Sequence, residues 1–431
     1  MRPLFILLAA ASALAQSSPQ IRTSLTSEAL RGVSAVSQQI AWASGTHGTY
    51  LRTTDGRIWI PEQVPGAESL DFRAVVAFSA DEAFLMSAGP GDQSRIYHTA
   101  DRGRHWQLQF TNTNPKGFFD SMVFWDETHG IVLGDPIPDE TGQLKFELLM
   151  TNDGQTWTHI LPSQLPPALE GEGAFAASNS CIAILPTPGP INSSVILSGD
   201  TRSAKRDACR SRRIPCSSSS AETSRGILTT GATTPHLALV SWQSGATAPR
   251  QSLEKEGASA PDPNIWFATG GKAARVFHSA DRGQTWQVFN TPLTHGPDSA
   301  GIFSIAFRDA THGVIAGGDY KHPEQDGPNL AFTNDGGRTW TLSKITPQSY
   351  YSAAIYDRKH RDPKAKDLDD NQANIRLFLV GPKFIYDFRP PKTPIRLSPR
   401  KKSAQQFNAA GPYPEGGVLV VGSKGTIAFI P

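Results

Sequence analysis

Short runs of apolar residues alternate with turn-forming polar residues along most of the chain. Residues 124–134 and 307–317 each have an aromatic residue, an Asp-x-Thr-His-Gly turn and then an apolar run, and residues 78–89 are a weaker copy. Apolar runs of this length, bounded by turn signals, are typical of buried strands. We therefore predict a strand, a tight turn and a second strand at each of these sites.

A second motif occurs five times and ends in tryptophan. Three copies have the pattern Ser/Thr-x-Asp-x-Gly-x-x-Trp and two are one residue shorter, and their characteristic residues are Asp55, Trp59, Asp101, Gly103, Trp106, Asp153, Trp157, Asp281, Gly283, Trp286, Asp335, Gly337 and Trp340. The carboxylate and the leading hydroxyl are suited to accept hydrogen bonds from loop amides, and glycine permits a positive φ. The tryptophan is expected to begin the return strand and to bury its ring. These residues are therefore predicted to be structural rather than catalytic.

The spacing of the motif predicts the architecture. Successive motif tryptophans are about 50 residues apart, except between Trp157 and Trp286, as expected for a repeat of four-stranded units. Removing residues 186–262, which are rich in Ser, Thr, Arg and Pro, restores the regular interval. The remaining length fits seven units of about 48 residues. We predict one all-β domain over residues 16–431, a seven-bladed β-propeller with a disordered, low-complexity insertion at 186–262 in the fourth blade.

The predicted propeller needs a closing strand, and the insertion has two interpretations. Residues 20–25 are placed to pair with the last blade, which runs through 417–421 and 426–430. Closure of this kind removes exposed strand edges. The insertion is either a surface excursion or a frameshifted stretch of the gene.

Composition agrees with an all-β protein and excludes several other classes. Gly (38) and Pro (33) are abundant among 431 residues, whereas nine Trp and 21 Phe supply ample core material. A coiled coil or a disordered chain would have a different composition. Lys and Arg (41) nearly balance Asp and Glu (39), so no overall charge favours nucleic acid.

The first 15 residues have the pattern of a signal peptide, with a short cationic start, an apolar run and Ala13-Leu14-Ala15 before the expected cleavage site. We therefore expect an exported protein, periplasmic or extracellular, with no transmembrane segment and a monomeric state. Of its three cysteines, Cys209 and Cys216 could form a small disulfide loop or remain thiols, with Cys181 left over.

The tryptophan motif is similar to the Asp-box, or BNR, repeat. Together with 125–130 and the Gly134-Asp135-Pro136 segment, it resembles the photosystem II stability/assembly factor family within the sialidase-like propellers, over about 30–185 and 263–431. The resemblance implies an exported, seven-bladed, non-enzymatic protein that binds a protein partner and assists assembly of a complex, in phototrophs the photosynthetic reaction centre. Whether the host is phototrophic stays open.

Propeller ligands usually bind where the loops of the blades meet the central channel. Polar residues at the corresponding ends of predicted inner strands are therefore the binding candidates: Asp120, Asp135, Glu172, Lys272, Arg275, Asp319, Tyr320, Lys321 and Tyr351.

The alternative function is a sialidase-like glycoside hydrolase acting on glycans, because sialidases share the Asp-box. An Arg213-Ile-Pro215 motif is present, but it lies inside the insertion rather than before the first repeat. No cofactor or metal motif is present in the sequence. We therefore expect neither a cofactor nor a metal site.

Overall fold

The computed structural model describes six stretches of the chain: 19–185, 264–344, 349–357, 376–388, 395–397 and 406–431. All of these residues belong to one compact unit. The predicted signal peptide, the insertion at 186–262 and Cys209 and Cys216 lie outside them. Within the described ranges, no helix has the length and apolar character needed to span a membrane.

The described residues form seven antiparallel sheets, whose strands are numbered in chain order. An N-terminal strand, β1, is Gln20–Ile21. The first blade contains β2 to β5: Leu30–Ala35, Ala41–Gly45, Thr49–Thr53 and Ile60–Gln63. The second contains β6 to β9: Asp71–Ala77, Ala83–Ala88, Arg95–Thr99 and Gln107–Thr111. The third contains β10 to β13: Phe119–Phe124, Gly130–Pro138, Leu144–Thr151 and Thr158–His159.

The remaining blades continue around the ring. Two short strands, β14 and β17, extend the fifth blade and are Glu172–Gly173 and Gly270–Gly271. The fourth blade contains β15, β16, β18 and β19: Ile182–Leu185, Asn264–Ala268, Arg275–Ser279 and Gln287–Asn290. The fifth contains β20 to β23: Ala300–Phe307, Gly313–Asp319, Leu330–Thr333 and Thr341–Leu342.

The sixth blade contains β24 to β27: Ala353–Tyr356, Leu377–Gly381, Phe384–Phe388 and Ile395–Leu397. The seventh contains β28 to β30: Phe407–Pro412, Val418–Gly422 and Ile427–Ile430. The only helical turns in the described ranges are two short 3-10 turns, Gly91–Gln93 and Pro162–Gln164.

The seven sheets form a closed ring. The first strand of each blade contacts the first strand of the next, from β2 through β6, β10, β15, β20, β24 and β28 back to β2. The N-terminal strand β1 pairs with β30 as the outermost strand of the seventh blade, with Gln20 opposite Phe429. The predicted propeller and its closing strand are therefore confirmed.

The long connection in the fourth blade lies where the insertion was predicted. Strands β15 and β16 are paired neighbours, with Leu185 opposite Asn264. Residues 186–263 therefore join the first and second strands of one blade.

The core lies between the blades rather than within one sheet. Seven apolar clusters of described residues each join two adjacent blades. In β7, Ala83 and Leu85 pack against the first blade, whereas Phe84 and Met86 pack against the third. Because side chains alternate between the faces of a strand, a blade covered on both faces has a continuous apolar run. This accounts for the apolar runs in the sequence.

The motif turns connect the third and fourth strands of the first five blades. Asp281 in the fourth blade represents the longer form, in which its Oδ1 accepts the Thr285 amide at 2.9 Å and the Ser279 hydroxyl at 2.8 Å. Ser279 Oγ in turn accepts the Gly283 amide at 2.7 Å. Gly283 has a φ of 81°, which favours glycine.

The shorter turns use nearer amides. Asp153 Oδ1 accepts the amides of Gln155 and Thr156 at 2.8 and 2.7 Å. These two hydrogen bonds lower the pKa of Asp153 to about 2, so the turn is stabilised by an ionised carboxylate.

The tryptophan that follows each turn packs towards the preceding blade. Trp59, Trp157 and Trp286 are buried in the clusters joining their own blades to the preceding ones. Trp106 and Trp340 are partly buried and pack against the corresponding clusters.

The channel enclosed by the seven first strands is crossed by residues 174–180, which we call the plug segment. It makes hydrogen bonds to four other blades. Its partners are Arg73 in the second blade, Asp135 and Met122 in the third, Phe303 in the fifth and Ser352 in the sixth. Seven consecutive residues that reach four blades lie across the ring axis. The Asn179 side chain both donates to Met122 O (3.0 Å) and accepts from Met122 N (2.7 Å).

A buried ion pair holds the start of the plug segment. Glu172 has no exposed side-chain surface and pairs with Arg275, whose side chain is 10% exposed. Arg275 Nε donates to Glu172 Oε1 at 2.9 Å, and its Nη2 donates to Glu172 Oε2 and to Pro167 O. Thr269 Oγ1 and the Leu169 amide also donate to the carboxylate, at 2.6 and 2.8 Å. Every charge is thus hydrogen-bonded, which a buried pair requires.

The turn geometry yields a first prediction. Asp281→Ala removes a carboxylate that accepts several hydrogen bonds, so the free energy of unfolding should fall by about 1 kcal/mol. Gln284→Ala, in the same turn, changes an exposed side chain and should alter it by less than about 0.5 kcal/mol. Urea unfolding of both variants measures the difference, and equal effects would contradict a stabilising role for this carboxylate.

The ion pair yields a second prediction. Glu172→Ala leaves the Arg275 guanidinium buried without its carboxylate and should lower the free energy of unfolding by about 3 kcal/mol. Glu170→Ala, two residues earlier and exposed, is the matched control and should be nearly neutral. If thermal and urea unfolding show Glu172→Ala to be as mild as the control, the pair does not anchor the plug segment.

Candidate functional site

Charged side chains from the inner strands β2, β6 and β10, together with one from β11, gather beside the plug segment. We call Arg31, Asp71, Arg73, Asp120 and Asp135 the channel-mouth cluster. Arg73 Nε donates to Asp71 Oδ2 at 2.7 Å, and Arg31 Nε lies 3.7 Å from Asp71 Oδ1. The side chains of Arg31, Asp71 and Arg73 are each about a quarter exposed.

The plug segment forms part of this cluster. Arg73 Nη1 donates to Ala176 O at 2.8 Å, and Asp135 Oδ1 accepts the Ala174 amide at 2.9 Å. The plug segment therefore fills the channel next to the cluster. It leaves the side chains of Arg31, Arg73 and Asp71 partly exposed to solvent.

Two carboxyl groups of the cluster are poorly solvated. Asp120, on β10, is 1% exposed, and its burial and the nearby charge of Asp135 raise its pKa well above the usual value, which Arg73 only partly offsets. Burial also raises the pKa of Asp135, against the hydrogen bond from Ala174. The neutral form of Asp120 therefore persists to a higher pH than that of an exposed aspartate, and a neutral carboxyl group can donate a hydrogen bond.

Three buried atoms of the cluster lack a hydrogen-bond partner among the described residues: Arg31 Nε, Asp71 Oδ1 and Asp120 Oδ2. Buried polar atoms are nearly always paired in native proteins. Burial, followed by the charge of Arg73, also lowers the pKa of Arg31, although Asp71 opposes the shift. The cluster thus has unused donors and acceptors.

Aromatic side chains of the fifth blade pack against the plug segment through Phe175. Phe175 stacks on Phe303 with ring centroids 3.9 Å apart, and Tyr350 meets the edge of Phe303 at 4.8 Å. Tyr320 contacts Phe303 at 6.1 Å and is 49% exposed. An exposed tyrosine supported by buried rings is a suitable apolar anchor for a ligand.

The residues predicted from the sequence separate into four groups. Asp120 and Asp135 belong to the channel-mouth cluster, whereas Glu172 and Arg275 are buried in their own ion pair. Tyr351 is 1% exposed, and burial raises its pKa.

Of the other predicted residues, Lys272, Tyr320 and Lys321 lie in turns and Asp319 ends β21. Lys272 is exposed, and its amide donates to Gly171 O at 2.9 Å. Asp319 accepts the Lys321 amide at 2.9 Å and contacts His322 Nδ1 at 2.8 Å. Burial tends to raise the pKa of Asp319. The hydrogen bonds from His322 and Ser299 outweigh burial and leave this pKa below its usual value. Lys321 is exposed beside Tyr320.

Sequence reasoning missed Arg31, Asp71 and Arg73. Asp71 and Arg73 alternate with the buried Phe72 and Ala74 on an inner strand, a position where polar side chains face the channel. That alternation was the available signal. The described residues contain no group of three or more His, Cys, Asp or Glu side chains arranged to hold a metal ion.

Solved structures resemble this chain in fold, whereas the sequence searches found no match. No protein-family model matches this sequence, and the search of curated proteins found no match. Among solved structures, YCF48 bound to D1 peptide has a TM-score of 0.55 at 12% identity, covering 97% of this chain and 98% of that one.

Two further structures have the same fold. YCF48 from Cyanidioschyzon merolae matches with a TM-score of 0.50 at 14% identity, covering 96% of this chain and 98% of that one. A catalytically inactive virginiamycin B lyase from Staphylococcus aureus, with quinupristin, has a TM-score of 0.50 at 10% identity and covers 96% and 99%. At such low identities the likeness shows the seven-bladed propeller fold alone.

Proposed function

We propose that the protein is an exported, non-catalytic propeller that binds a segment of a partner protein at the channel-mouth cluster, assisting assembly or stability of a larger complex. The bound segment lies over the plug segment, with its polar groups on Arg31, Asp71 and Arg73 and an apolar side chain against Tyr320.

The single observation that carries the proposal is the set of partly exposed charged side chains, Arg31, Asp71 and Arg73, on two neighbouring inner strands. The two guanidinium groups can donate hydrogen bonds, and the Asp71 carboxylate can accept them. A polypeptide offers both amides and carbonyls, so it matches this mixture better than a simple anion or cation.

The comparisons support the same kind of ligand. The YCF48 structure bound to D1 peptide shows that a propeller of this fold accommodates a peptide. Partner binding by an assembly factor also agrees with the family that the sequence motifs resemble.

A crosslinking experiment tests the proposed surface. A photo-crosslinking residue at position 320 should form an adduct with a partner protein in the native host, because Tyr320 is exposed and its ring contacts Phe303, on which Phe175 of the plug segment stacks. The same residue at position 108, an exposed leucine on the outer strand β9, is the control and should not capture that partner. Changing Arg31 and Arg73 together to Gln should reduce the adduct at position 320 at least about fivefold, as expected for loss of charged hydrogen bonds.

Two results would contradict the proposal: equal capture at positions 320 and 108, or an adduct insensitive to the double Arg31→Gln, Arg73→Gln change. Hydrolysis of sialosides or aryl glycosides by the purified protein, lost in Asp135→Ala or Asp319→Ala, would instead identify a glycoside hydrolase.

The buried Asp120 generates a pH prediction. Because its folded-state pKa is raised, this residue destabilises the fold progressively as pH rises above about 3.8, the unfolded value. Asp120→Asn, which mimics the neutral acid, should therefore gain stability over the natural protein as pH rises, with no gain near pH 3. Thermal melts across this range measure the difference, and a gain confined to low pH would show that the carboxylate is the favoured form.

A further inference from the structure

A second polar cavity lies at the junction of the seventh and first blades, away from the channel-mouth cluster. Its volume is about 230 Å³. We call it the seam pocket, and its walls include the closing strand, a motif turn and β30, through Gln20, Arg22, Gln39, Asp55, Arg57 and Phe429.

Arg22 is the best-placed polar group in the seam pocket. Its backbone is fixed because its amide donates to Ile427 O at 2.9 Å. Its guanidinium carbon lies 5.5 Å from the centroid of the Phe429 ring. Its Nε is buried and has no hydrogen-bond partner, and its side chain forms no ion pair within the described ranges. The cationic Arg22 side chain thus lines the cavity and has no hydrogen-bonding acceptor among the described residues.

A second guanidinium lines the same cavity. Arg57 is exposed in the motif turn of the first blade, and no hydrogen bond or ion pair fixes its side chain among the residues described. The one acid among the described lining residues is Asp55, whose Oδ1 already accepts the amides of Arg57 and Ile58 at 2.8 and 2.9 Å. The pocket therefore has two cationic side chains and one carboxylate, whose Oδ1 is occupied by its own turn.

We propose that the seam pocket binds a small ligand through an oxyanion, either a carboxylate or a phosphate group. Guanidinium groups recognise the planar carboxylate and the tetrahedral phosphate through paired N–H donors. The amide groups of Gln20 and Gln39 supply neutral hydrogen bonds for the hydroxyls of such a ligand. The cavity volume admits a group larger than inorganic phosphate. This site shares no residue with the channel-mouth cluster, so it does not depend on the proposed function.

Calorimetric titration of the full chain at low ionic strength tests the proposal with three probes: inorganic phosphate, glucuronate and neutral glucose. At least one anion should bind, whereas glucose, which lacks a charge, should not. The better of the two anions identifies the oxyanion that the pocket prefers.

Arginine variants locate the binding. Arg22→Gln should weaken anion affinity about tenfold, because it removes the buried charged donor, and Arg57→Gln should weaken it about threefold. Arg338→Gln is the matched control, since Arg338 is exposed in the equivalent turn of the fifth blade, and it should leave affinity unchanged. Thermal unfolding verifies that each variant is folded. Because Arg57 is exposed, its variant keeps the test valid even if Arg22→Gln unfolds.

Three results would overturn the proposal: no binding of either anion, glucose binding as tightly as glucuronate, or anion affinity unchanged in the folded arginine variants. Loss of affinity in Arg338→Gln equal to that in Arg57→Gln would equally show that the binding is non-specific.

Discussion

Packing of apolar side chains between adjacent blades is the constraint on which the rest of the structure depends. A four-stranded sheet with two apolar faces cannot remain exposed, and each blade here covers both faces with its neighbours. A row of such blades leaves no apolar face exposed only when the last blade packs against the first. Strands β28 and β2 make that contact and the Trp59 cluster fills the junction, while β1 adds the outermost strand of the last blade by pairing with β30. Ring closure therefore creates both the central channel and the seam pocket.

Closure also explains how the polar sites persist. The ring places seven inner strands side by side, so charged side chains from three blades come close together without adjacent positions in sequence. Such a cluster is costly unless its atoms are paired. The plug segment pairs several of them, through Ala174 and Ala176, and leaves others open at the mouth. Part of the polar channel is thus sealed, and the remaining surface is suited to binding.

The architecture was predictable from the sequence because its signals are local and repeated. Each motif turn uses neighbouring residues, such as Asp281 and Thr285, so the pattern appears directly in the chain and its spacing gives the number of blades. The closing strand was predictable because residues 20–25 are placed to pair with the last blade. The insertion was recognisable because it interrupts a regular interval between Trp157 and Trp286.

The candidate site was less predictable because its contacts are non-local. Asp120 and Asp135 were identified from their positions at the ends of strands, but their neighbours Arg31 and Arg73 come from other blades. Glu172 and Arg275 were expected to face a ligand, and no local pattern indicated that they pair with each other. The path of residues 174–180 across the channel depends on four other blades and has no periodic signal.

The plug segment decides whether the channel mouth is a closed binding surface, and native-state hydrogen exchange measures it most directly. The account predicts that the Ala174 amide, which donates to Asp135, exchanges as slowly as amides of the inner strands. An Ala174 amide that exchanges as fast as those of exposed loops would show that the channel is open and would contradict the account.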